Sequence, residues 1–545
     1  MTPTESSEEY DFVVVGAGSA GCAVAARLSE SGEYKVALIE AGGEDDSFWI
    51  SVPLGYGKLY NNPRYNWMHE SEPEPELNGT RLFQPRGKTL GGSSSINGMM
   101  YVRGPSRDFD YWRQLGNVGW SYDDVLPFFK KAEDNVRGAD KYHGVGGPLG
   151  ISNTPRHELS DAFIAAAVQA GYPRNYDFNG VTQEGLGYNQ LTTRDGRRCS
   201  SAAAYLRTAR KRPNLNIIIN AQATRVLFRG REAAGVEFLK GGKLKAVTAR
   251  REIVISGGSI NSPQLLQLSG VGSGEFLSGF NIPIVSDLKS VGENMQDHFG
   301  VAMTFRVKGA ITINDHVNNP LRRMKMGLQY LLFHKGPMAS NAGLCQGFIR
   351  TDPHLESPNI SVLMWIWSMA LTAKRAREPV TLNDFPGITA MVANSYPDSR
   401  GSVRIKSNDA TVPPEIRFNH LKSERDRQIL LKGFRTVRKI ISMPPMAPYI
   451  VAETDPGPQC TSDADLIEHF RNRGRSTYHT TTTCRMGVDE HAVVDPRLRV
   501  RGVGKLRVID ASIMPSVISG NTNAAAIMIG EKGAAMIIED ARASR

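Results

Sequence analysis

The sequence lacks the features that mark a secreted or membrane-spanning chain. Its five cysteines are scattered along 545 residues without a Cys-x-x-Cys pair, which argues against a disulfide framework or a thiolate metal site. No run of about 18 apolar residues is present, so no transmembrane helix is expected. The N-terminal residues MTPTESSEEYD lack the basic start and apolar stretch of a secretory signal. These absences predict a cytoplasmic protein without a metal centre.

Internal repeats, low-complexity segments and an acidic excess are missing as well. Lys and Arg number 65 against 55 Asp and Glu, which gives a formal net charge of +10. A positive charge can attract nucleic acid, but the basic residues are spread along the chain, so no nucleic-acid partner is expected. A chain of 545 residues exceeds one compact core and predicts several domains.

The N-terminal segment has the pattern of a βαβ unit. The apolar run 11–15 predicts a buried parallel strand, the Ala-rich segment 20–28 predicts a helix, and residues 35–39 predict a second strand that ends at Glu40. The sequence Gly16-Ala17-Gly18-Ser19-Ala20-Gly21 connects the first strand to the helix. A strand, a glycine-rich turn and a helix in this order are typical of a Rossmann-like nucleotide-binding domain.

Each glycine of this motif has a physical use in dinucleotide binding. Gly16 permits the tight turn, Gly18 lets the backbone approach a pyrophosphate, and Gly21 allows close packing of helix on strand. A carboxylate at Glu40 can accept hydrogen bonds from ribose hydroxyls. The alternative is a plain tight turn, and the motif by itself does not separate FAD from NAD.

Other segments predict a mixed sheet and a second domain. Apolar runs at 252–256 and 506–509 predict further buried strands, and residues 523–541 predict an amphipathic helix. The segment 301–474 mixes strands, helices and proline-rich loops without βαβ alternation, which indicates the larger part of a second domain. Antiparallel ribbon is predicted for short β-rich runs separated by turns at Arg229-Gly230 and Gly241-Gly242, namely 217–219, 224–228, 235–239 and 245–249.

A second glycine-rich run, GKTLGGSSSING, occupies residues 87–98. Dense glycine with small hydroxyl residues predicts backbone packed directly against a large ligand. A flexible linker is the alternative, but this run lies between apolar residues and leads into the apolar segment 99–102.

Long segments, in order along nearly the whole chain, resemble the signatures of the glucose–methanol–choline (GMC) oxidoreductase family. Residues 87–110 are similar to its first signature and residues 258–272 to its second. Residues 291–298 are similar to another family segment, and residues 478–523 resemble its catalytic region. Within the family, the chain is most similar to the bacterial choline, sorbose and polyethylene-glycol dehydrogenases.

The resemblance implies FAD rather than NAD and a fold that combines α/β with α+β architecture. A discontinuous Rossmann-like FAD-binding domain is expected from residues 8–155, 200–300 and 475–541. A substrate-binding domain, built on an antiparallel sheet flanked by helices, is expected from residues 156–199 and 301–474.

The same resemblance implies which residues contact the cofactor. The ADP half is expected at Gly16, Gly18, Ser19, Ala20, Gly21, Glu40 and Ala41, with Val226 at the adenine. The pyrophosphate, ribityl chain and flavin are expected at Gly91, Gly92, Ser93, Asn97, Gly98, Met99, Asp510, Ala511, Asn521 and Thr522. Some relatives link FAD covalently to a histidine at the position of Ile96, and isoleucine cannot form that bond, so noncovalent FAD is expected.

Alcohol oxidation needs a base for the hydroxyl proton and an acceptor for a hydride. By similarity His479 is the catalytic histidine, and Asn521 holds the position of the second polar residue. The resemblance then implies hydride transfer to flavin N5, with oxygen, a quinone or another carrier as the final electron acceptor. Relatives commonly have proline after this histidine, whereas this chain has the run 480–483 of four threonines, which puts the inherited pocket shape and the substrate in doubt.

Further residues have two interpretations each. Trp365, Trp367 and Tyr478 are candidates for the pocket wall, and the two tryptophans are expected to share a face of one strand, but ordinary core packing explains them equally well. His298 is expected to be structural. Two other functions stay open: a lyase or photodecarboxylase on the same fold, and a non-enzymatic or RNA-associated flavoprotein.

Overall fold

Two seven-stranded sheets organise residues 8–369 and 381–543, the part of the chain that the computed structural model describes. In the first sheet Phe12 to Val15 are buried, as expected for a parallel strand covered on both faces. Its central strands pair in parallel, whereas the three strands at one edge form antiparallel hairpins. The strand order is Leu215–Ile218, Val36–Ile39, Glu9–Val15, Lys243–Ile255, Glu232–Lys240 and Gln222–Arg229, with Leu506–Val508 paired to Lys243–Ile255.

Two predictions for this sheet need correction. Leu215–Ile218, predicted as antiparallel ribbon, pairs in parallel with Val36–Ile39. The runs predicted separately at 245–249 and 252–256 form one strand, Lys243–Ile255, whose first half pairs antiparallel and whose second half pairs in parallel. An apolar run carries no information about the direction of its partner, which explains both errors.

The first and last long helices pack closely together on this sheet. A Cβ atom at Gly530 would lie 2.6 Å from the carbonyl oxygen of Ala20, so the glycine permits the close approach of the two helix backbones. The C-terminal helix was predicted at 523–541 and is observed at Asn523–Ala543. Helices of this part of the molecule are Ser19–Leu28, Ser106–Gln114, Tyr122–Ala132, Gly258–Leu268 and Asn523–Ala543.

The second sheet is antiparallel throughout. Its strands run in the order Ile450–Asp455, Phe299–Val307, Gly387–Asn394, Ile360–Trp365, Cys345–Ile349 and Gly185–Tyr188, with Arg475–Ser476 paired to Phe299–Val307. Helix Glu424–Ile441 packs on the sheet, where Leu430, Phe434 and Val437 are buried. The other helices of this half are Glu158–Gln169, Ile313–Asn318, Pro320–Phe333 and Asp463–Arg473.

Shorter elements connect the two sheets. Short strands are His69–Glu70, Phe83–Gln84, Glu133–Asn135, Leu149–Asn153, Gln190–Leu191, Thr193–Arg194, Arg197–Arg198, Val271–Gly272, Ser286–Asp287, Ser402–Arg404 and Glu415–Arg417. Short helical segments are Phe48–Ser51, Pro53–Gly55, Tyr56–Leu59, Pro75–Leu77, Gly92–Ser95, Ala202–Leu206, Arg207–Ala209, Gly274–Ser278, Pro337–Ala339 and Ala511–Ile513. Among the helices of the described residues, none combines the length and apolar character needed to cross a membrane.

The predicted fold class is confirmed by this pairing of a Rossmann-like sheet with an antiparallel sheet. The exact domain boundaries stay a prediction. Phe299 and the strand Arg475–Ser476, which the prediction assigned to the FAD-binding domain, pair within the second sheet. Residues 370–380 of the predicted substrate domain lie outside the described residues.

Candidate active site

One large cavity lies between the two sheets. Its volume is about 1330 Å³, and its walls extend from Val15 and Glu40 in the first sheet to Trp365 and Met391 in the second. Pockets for drug-sized ligands usually measure about 300–1,000 Å³, so this cavity has room for a cofactor and a substrate together.

The first glycine turn forms the floor at one end. Gly16 has φ +99°, and a Cβ there would lie 2.4 Å from the carbonyl oxygen of Ser256. A Cβ at Gly21 would lie 1.9 Å from the carbonyl oxygen of Gly16, so Gly21 serves the packing of helix on turn and does not line the cavity. Gly18 caps helix Ser19–Leu28 without a side-chain hydrogen bond, and Ser19 and Ala20 line the cavity, so the helix N-terminus faces it.

The second glycine run lies directly against the first. The Gly91 N–H donates to the carbonyl oxygen of Ala17 at 2.8 Å, and a Cβ at Gly92 would lie 2.7 Å from the Cα of Gly18. Gly91 itself does not line the cavity. The predicted residues of this run that do line it are Gly92, Ser93, Asn97, Gly98 and Met99, together with Ile96.

Glu40 combines a structural hydrogen-bond pattern with a place on the cavity wall. Its Oε2 accepts the Ala17 N–H and its Oε1 accepts the Gly42 N–H, both at 2.8 Å. Burial raises the pKa of Glu40 to about 7, although these backbone hydrogen bonds act in the opposite direction. Ala41 lines the cavity beside it. The carboxylate is therefore held rigidly at the end of its strand.

Asp510 anchors the opposite wall. Its Oδ2 accepts the Gly258 N–H at 2.8 Å and the Ser262 hydroxyl at 2.6 Å, and its Oδ1 accepts the Ser512 N–H at 2.8 Å. Asp510, Ala511, Asn521 and Thr522 all line the cavity. The carboxylate thus holds the start of helix Gly258–Leu268 against the C-terminal block.

Val226, which the resemblance places at the adenine, lies in the strand Gln222–Arg229. It pairs with Val236 in the antiparallel hairpin, its N–H donates to Ser269 Oγ at 2.8 Å, and it does not line the cavity. The residues of its strand region that do line the cavity are Ala221, Gln222 and Ala223. The contact of Val226 with the adenine therefore stays a prediction.

His479 and Asn521 meet at the cavity surface. The Asn521 Nδ2 lies 3.0 Å from the His479 Nε2, and both residues line the cavity. On its other side, the His479 Nδ1 lies 3.0 Å from the His298 Nδ1 and 3.0 Å from the Thr477 Oγ1. The pair predicted from the sequence is therefore brought together by the fold.

The hydrogen bonds around His298 determine the tautomer of His479. The Ser395 carbonyl, 3.0 Å from the His298 Nε2, can only accept, so this nitrogen carries the proton. A neutral His298 ring with its proton on Nε2 has an Nδ1 that accepts from the His479 Nδ1–H, and burial, which lowers the pKa of His298, favours this neutral form. Burial and the neighbouring His298 lower the pKa of His479 to about 3, so its ring is neutral as well. Its Nε2 is left unprotonated beside Asn521.

The backbone around His479 is held in an unusual conformation. Tyr478 and Thr482 have φ values of +70° and +72°, a region that non-glycine residues rarely adopt. Asp297 holds the loop because it accepts the His479 N–H at 2.7 Å and the Ser476 hydroxyl. Asp297 precedes His298, so one strand end supplies both contacts to the loop.

The four threonines that follow His479 are buried and hydrogen-bonded. Thr480 Oγ1 lies 2.6 Å from Ser259 Oγ and accepts from the Arg86 guanidinium. Thr483 donates its hydroxyl to the Ser259 carbonyl oxygen at 2.7 Å, and Thr482 donates to the Asn294 carbonyl oxygen. Of the four, only Thr480 lines the cavity. The hydrogen bonds of the four threonines therefore mainly hold their own loop in place.

The second sheet supplies an aromatic and apolar wall. Trp365, Trp367 and Tyr478 line the cavity, and the two tryptophan ring centroids lie 6.2 Å apart in an edge-to-face arrangement. The strand ends at Trp365, so the two residues do not share one strand as predicted. Sequence reasoning missed Ser361, Val362 and Leu363, which also line the cavity, and along this strand the partly exposed Ser361 and Leu363 alternate with the buried Val362 and Met364. The period of two along this strand was the signal available.

The charges on the cavity wall are mostly positive. Within the described residues, the carboxylates that line it are Glu40 and Asp510, and both are already bound to backbone N–H groups. The cationic side chains that line it are Lys58, Arg86, Arg323 and Arg475.

Comparisons with known proteins agree with this geometry. The family models described as GMC oxidoreductase match residues 10–300 and 397–530. The oxygen-dependent choline dehydrogenase of Cronobacter sakazakii is 42% identical over 96% of this chain and 94% of its own length. That of Vibrio vulnificus is 40% identical over 97% of this chain and 94% of its own length.

Comparisons with solved structures also indicate this family. Pyridoxine 4-oxidase from Mesorbium loti superposes with a TM-score of 0.87 at 30% identity, over 97% of this chain and 99% of its own. Formate oxidase from Aspergillus oryzae superposes with a TM-score of 0.92 at 26% identity, over 99% of this chain and 100% of its own. From its matched sequence segments, its full-length relatives and its fold, the chain belongs to the GMC oxidoreductase family.

Proposed function

We propose that His479 and Asn521 are the catalytic pair of an FAD-dependent enzyme that oxidises an alcohol to an aldehyde or ketone. The observation that carries this proposal is the contact of His479 Nε2 with the Asn521 amide Nδ2, which lie 3.0 Å apart at the cavity surface. FAD dependence and alcohol oxidation are in accord with the family and its choline dehydrogenase members.

The residues along the cavity fit FAD. The uncapped start of helix Ser19–Leu28 offers N–H groups to a pyrophosphate, and the glycine backbone at Gly18 and Gly92 leaves it space. The rigidly held Glu40 carboxylate can still accept from ribose hydroxyls on its free lone pairs. Ile96 lines the cavity where some relatives carry a linking histidine, which supports noncovalent binding.

The chain's own groups handle the substrate oxygen. A hydroxyl that displaces the Asn521 N–H from His479 Nε2 donates to Nε2 and accepts from the amide Nδ2, which orients the alcohol carbon. As the carbon loses a hydride, the hydroxyl proton moves to Nε2 and a C=O bond forms. FAD, when bound, supplies the acceptor for that hydride. The imidazolium formed at His479 keeps its Nδ1–H on His298 and Thr477.

The wall next to this pair favours an uncharged alcohol with an aromatic or apolar body. Trp365, Trp367, Leu363 and Met391 supply apolar contact area. A quaternary ammonium substrate such as choline is best stabilised by a free carboxylate or an aromatic cage without competing cations. Here the wall carries four cationic side chains, and its two described carboxylates are already bound. The charge balance therefore disfavours a cation.

The experiment that tests the proposed pair is anaerobic mixing of the flavin-loaded enzyme with a panel of alcohols in the dark. We expect a substrate to bleach the oxidised flavin and His479→Gln to slow bleaching by about 10²- to 10⁴-fold, the usual effect of losing a positioned base. His491→Gln is the matched control because His491 is 72% exposed, and it should leave the rate unchanged.

The outcomes also separate the other functions. A flavin that stays oxidised while substrate is cleaved or decarboxylated would identify a lyase. Tight, salt-sensitive RNA binding without bleaching would identify the RNA-associated alternative. The electron acceptor, oxygen or a quinone or another carrier, and the cytoplasmic location stay predictions.

A further inference from the structure

Helix Pro320–Phe333 exposes an unusual amount of apolar surface. Its sequence, PLRRMKMGLQYLLF, contains no acidic residue, and Met326 and Tyr330 are its buried side chains. The exposed fractions are 72% for Leu321, 58% for Met324, 50% for Leu328, 59% for Leu331, 68% for Leu332 and 64% for Phe333. Single exposed apolar residues are common, but a contiguous group on one element marks an interaction surface.

Five of these side chains share one face of the helix. At about 100° per residue, Leu331, Met324, Leu328, Leu321 and Leu332 fall within a sector of about 100°. Met326 and Tyr330 fall on the opposite side, which packs against the protein. The outer stripe is therefore a continuous apolar face directed away from the core.

Two aromatic residues are also exposed on a neighbouring segment, which meets the helix on the side of Tyr330. Phe48 and Trp49 are 47% and 39% exposed, and the Phe48 ring centroid lies 6.4 Å from that of Tyr330 in the same helix. We refer to the exposed residues of helix Pro320–Phe333 together with Phe48 and Trp49 as the apolar patch.

Basic side chains border the apolar patch. By the same helical spacing Lys325 lies beside the stripe, whereas Arg323 and Lys58 line the cavity together with Trp49, and Lys335 follows the helix by two residues. Within the described residues none of these four cations forms an ion pair, while Arg322 has one distant carboxylate, Asp315, at 3.9 Å. Apolar contacts surrounded by unpaired cations are the composition of a helix that lies in the interface of an anionic bilayer.

The cavity opens to the protein surface beside the apolar patch. Its lining residues that are themselves exposed include Trp49, Lys58 and Arg323, and Met326 lines it from the inner side of the same helix. The rim of the cavity and the apolar patch therefore belong to one surface.

We propose that the apolar patch is a peripheral docking surface for anionic lipid bilayers, on which the helix lies parallel to the membrane and the cavity rim faces the lipid. A second copy of this chain is the other possible occupant. Two copies related by a twofold axis would bring each basic border against an equivalent basic border, which is unfavourable. A bilayer offers apolar lipid tails to the stripe and anionic headgroups to the cations.

Cosedimentation with lipid vesicles tests the proposal on the flavin-loaded full chain. We expect binding to vesicles of equimolar phosphatidylcholine and phosphatidylglycerol at low salt, weaker binding at high salt, and much weaker binding to phosphatidylcholine alone. The double variant Leu328→Glu with Leu332→Glu should bind the anionic vesicles at least tenfold more weakly.

The matched control is Val181→Glu with Leu244→Glu, which adds the same charge at two apolar positions that are 86% and 62% exposed on other elements. This control should bind like the unmodified chain, and all forms should keep their flavin absorbance. The proposal is overturned by absent binding to anionic vesicles, by equal losses in both double variants, or by a dimer in lipid-free solution that only the Leu328 and Leu332 variant dissociates.

Discussion

At the scale of single residues, the hydrogen-bond partners of His479 determine which of its two ring nitrogens carries the proton. The Ser395 carbonyl holds the proton on His298 Nε2, and the bare His298 Nδ1 then holds a proton on His479 Nδ1. Reactivity at the cavity surface thus depends on a carbonyl two hydrogen bonds away. We regard His298 as a positioning residue because it touches the base and not the reacting alcohol.

Replacing His298 should lower the rate of anaerobic flavin bleaching. In His298→Ala the Nδ1 proton of His479 loses one of its two acceptors and keeps Thr477 Oγ1, so we expect about a tenfold slower reaction, equivalent to the net value of one hydrogen bond, about 1.4 kcal/mol. His298→Asn keeps an acceptor oxygen near the same place and should restore most of the rate. A purely structural role predicts equal losses for both variants.

The pH profile of bleaching provides the second measurement. If His298 positions the proton, His298→Ala should change the pH dependence of the rate as well as its maximum, because the neighbouring His298 lowers the pKa of His479 and its removal should move the acidic limb of the profile to higher pH. Unchanged profiles combined with a lowered melting temperature would instead assign His298 to stability.

The motif context was sufficient to place His479 beside Asn521, because both residues lie in one C-terminal block that resembles the family's catalytic region. His298 was predicted to be structural, since nothing in its own segment shows that it meets His479. That contact depends on the pairing of Phe299 with Ser476, which brings together residues 181 positions apart. Long-range pairing of this kind is a property of the fold.

At the scale of elements, the two glycine-rich loops form one surface. Gly18 and Gly92 approach so closely that a single methyl group at Gly92 would contact the Gly18 Cα at 2.7 Å. The shape offered to the cofactor is therefore set jointly by the first helix and by a loop some seventy residues later, and a change in either alters both.

The variant Gly92→Ala should lose flavin. Its φ of +51° makes alanine unfavourable by about 1 kcal/mol, and the clash with Gly18 also displaces the loop. Gly146→Ala is the control, because Gly146 has φ +77° but no atom within 4 Å of the added Cβ. The flavin-to-protein absorbance ratio should fall only for Gly92→Ala, and equal ratios in the two variants would show that the loop contact is unimportant for binding.

The positions of the strands were predicted more successfully than the strands with which they pair. The apolar runs at 11–15 and 35–39 predicted buried strands, and the observed strands Glu9–Val15 and Val36–Ile39 confirm them. Leu215–Ile218 was assigned to the wrong kind of pairing because its apolar run fits either direction. The cavity wall of the second sheet was only partly anticipated, since side-chain alternation shows which residues share a face but not what that face meets.

At the scale of the whole molecule, the electrostatics of the cavity limit its substrates. Four cationic side chains and no unbound carboxylate among its described residues give the cavity wall a net positive charge, which favours the uncharged substrate class that we propose. The relatives named as choline dehydrogenases therefore share the fold and chemistry of this chain, but the substrate preference we propose for it is different.

Choline and its neutral tert-butyl analogue, in which carbon replaces the quaternary nitrogen, have nearly the same shape. We expect the analogue to bleach the flavin with a kcat/KM at least tenfold higher than choline, since about 1.4 kcal/mol of repulsion gives that ratio. An aromatic primary alcohol of similar size should be better than either. A higher kcat/KM for choline would contradict the proposed substrate class.

The contact between the first and the last long helices has a consequence for biosynthesis. Ser19–Leu28 meets Asn523–Ala543 at Ala20 and Gly530, and Asn521 directly precedes that last helix. A ribosome delivers residues in order from the N-terminus, so the nucleotide-binding turn is made first and its covering helix last. The proposed catalytic pair is thus completed only after Asn521 has left the ribosome, and a message truncated before the Asn521 codon yields a chain that lacks the pair although most of its sequence is present.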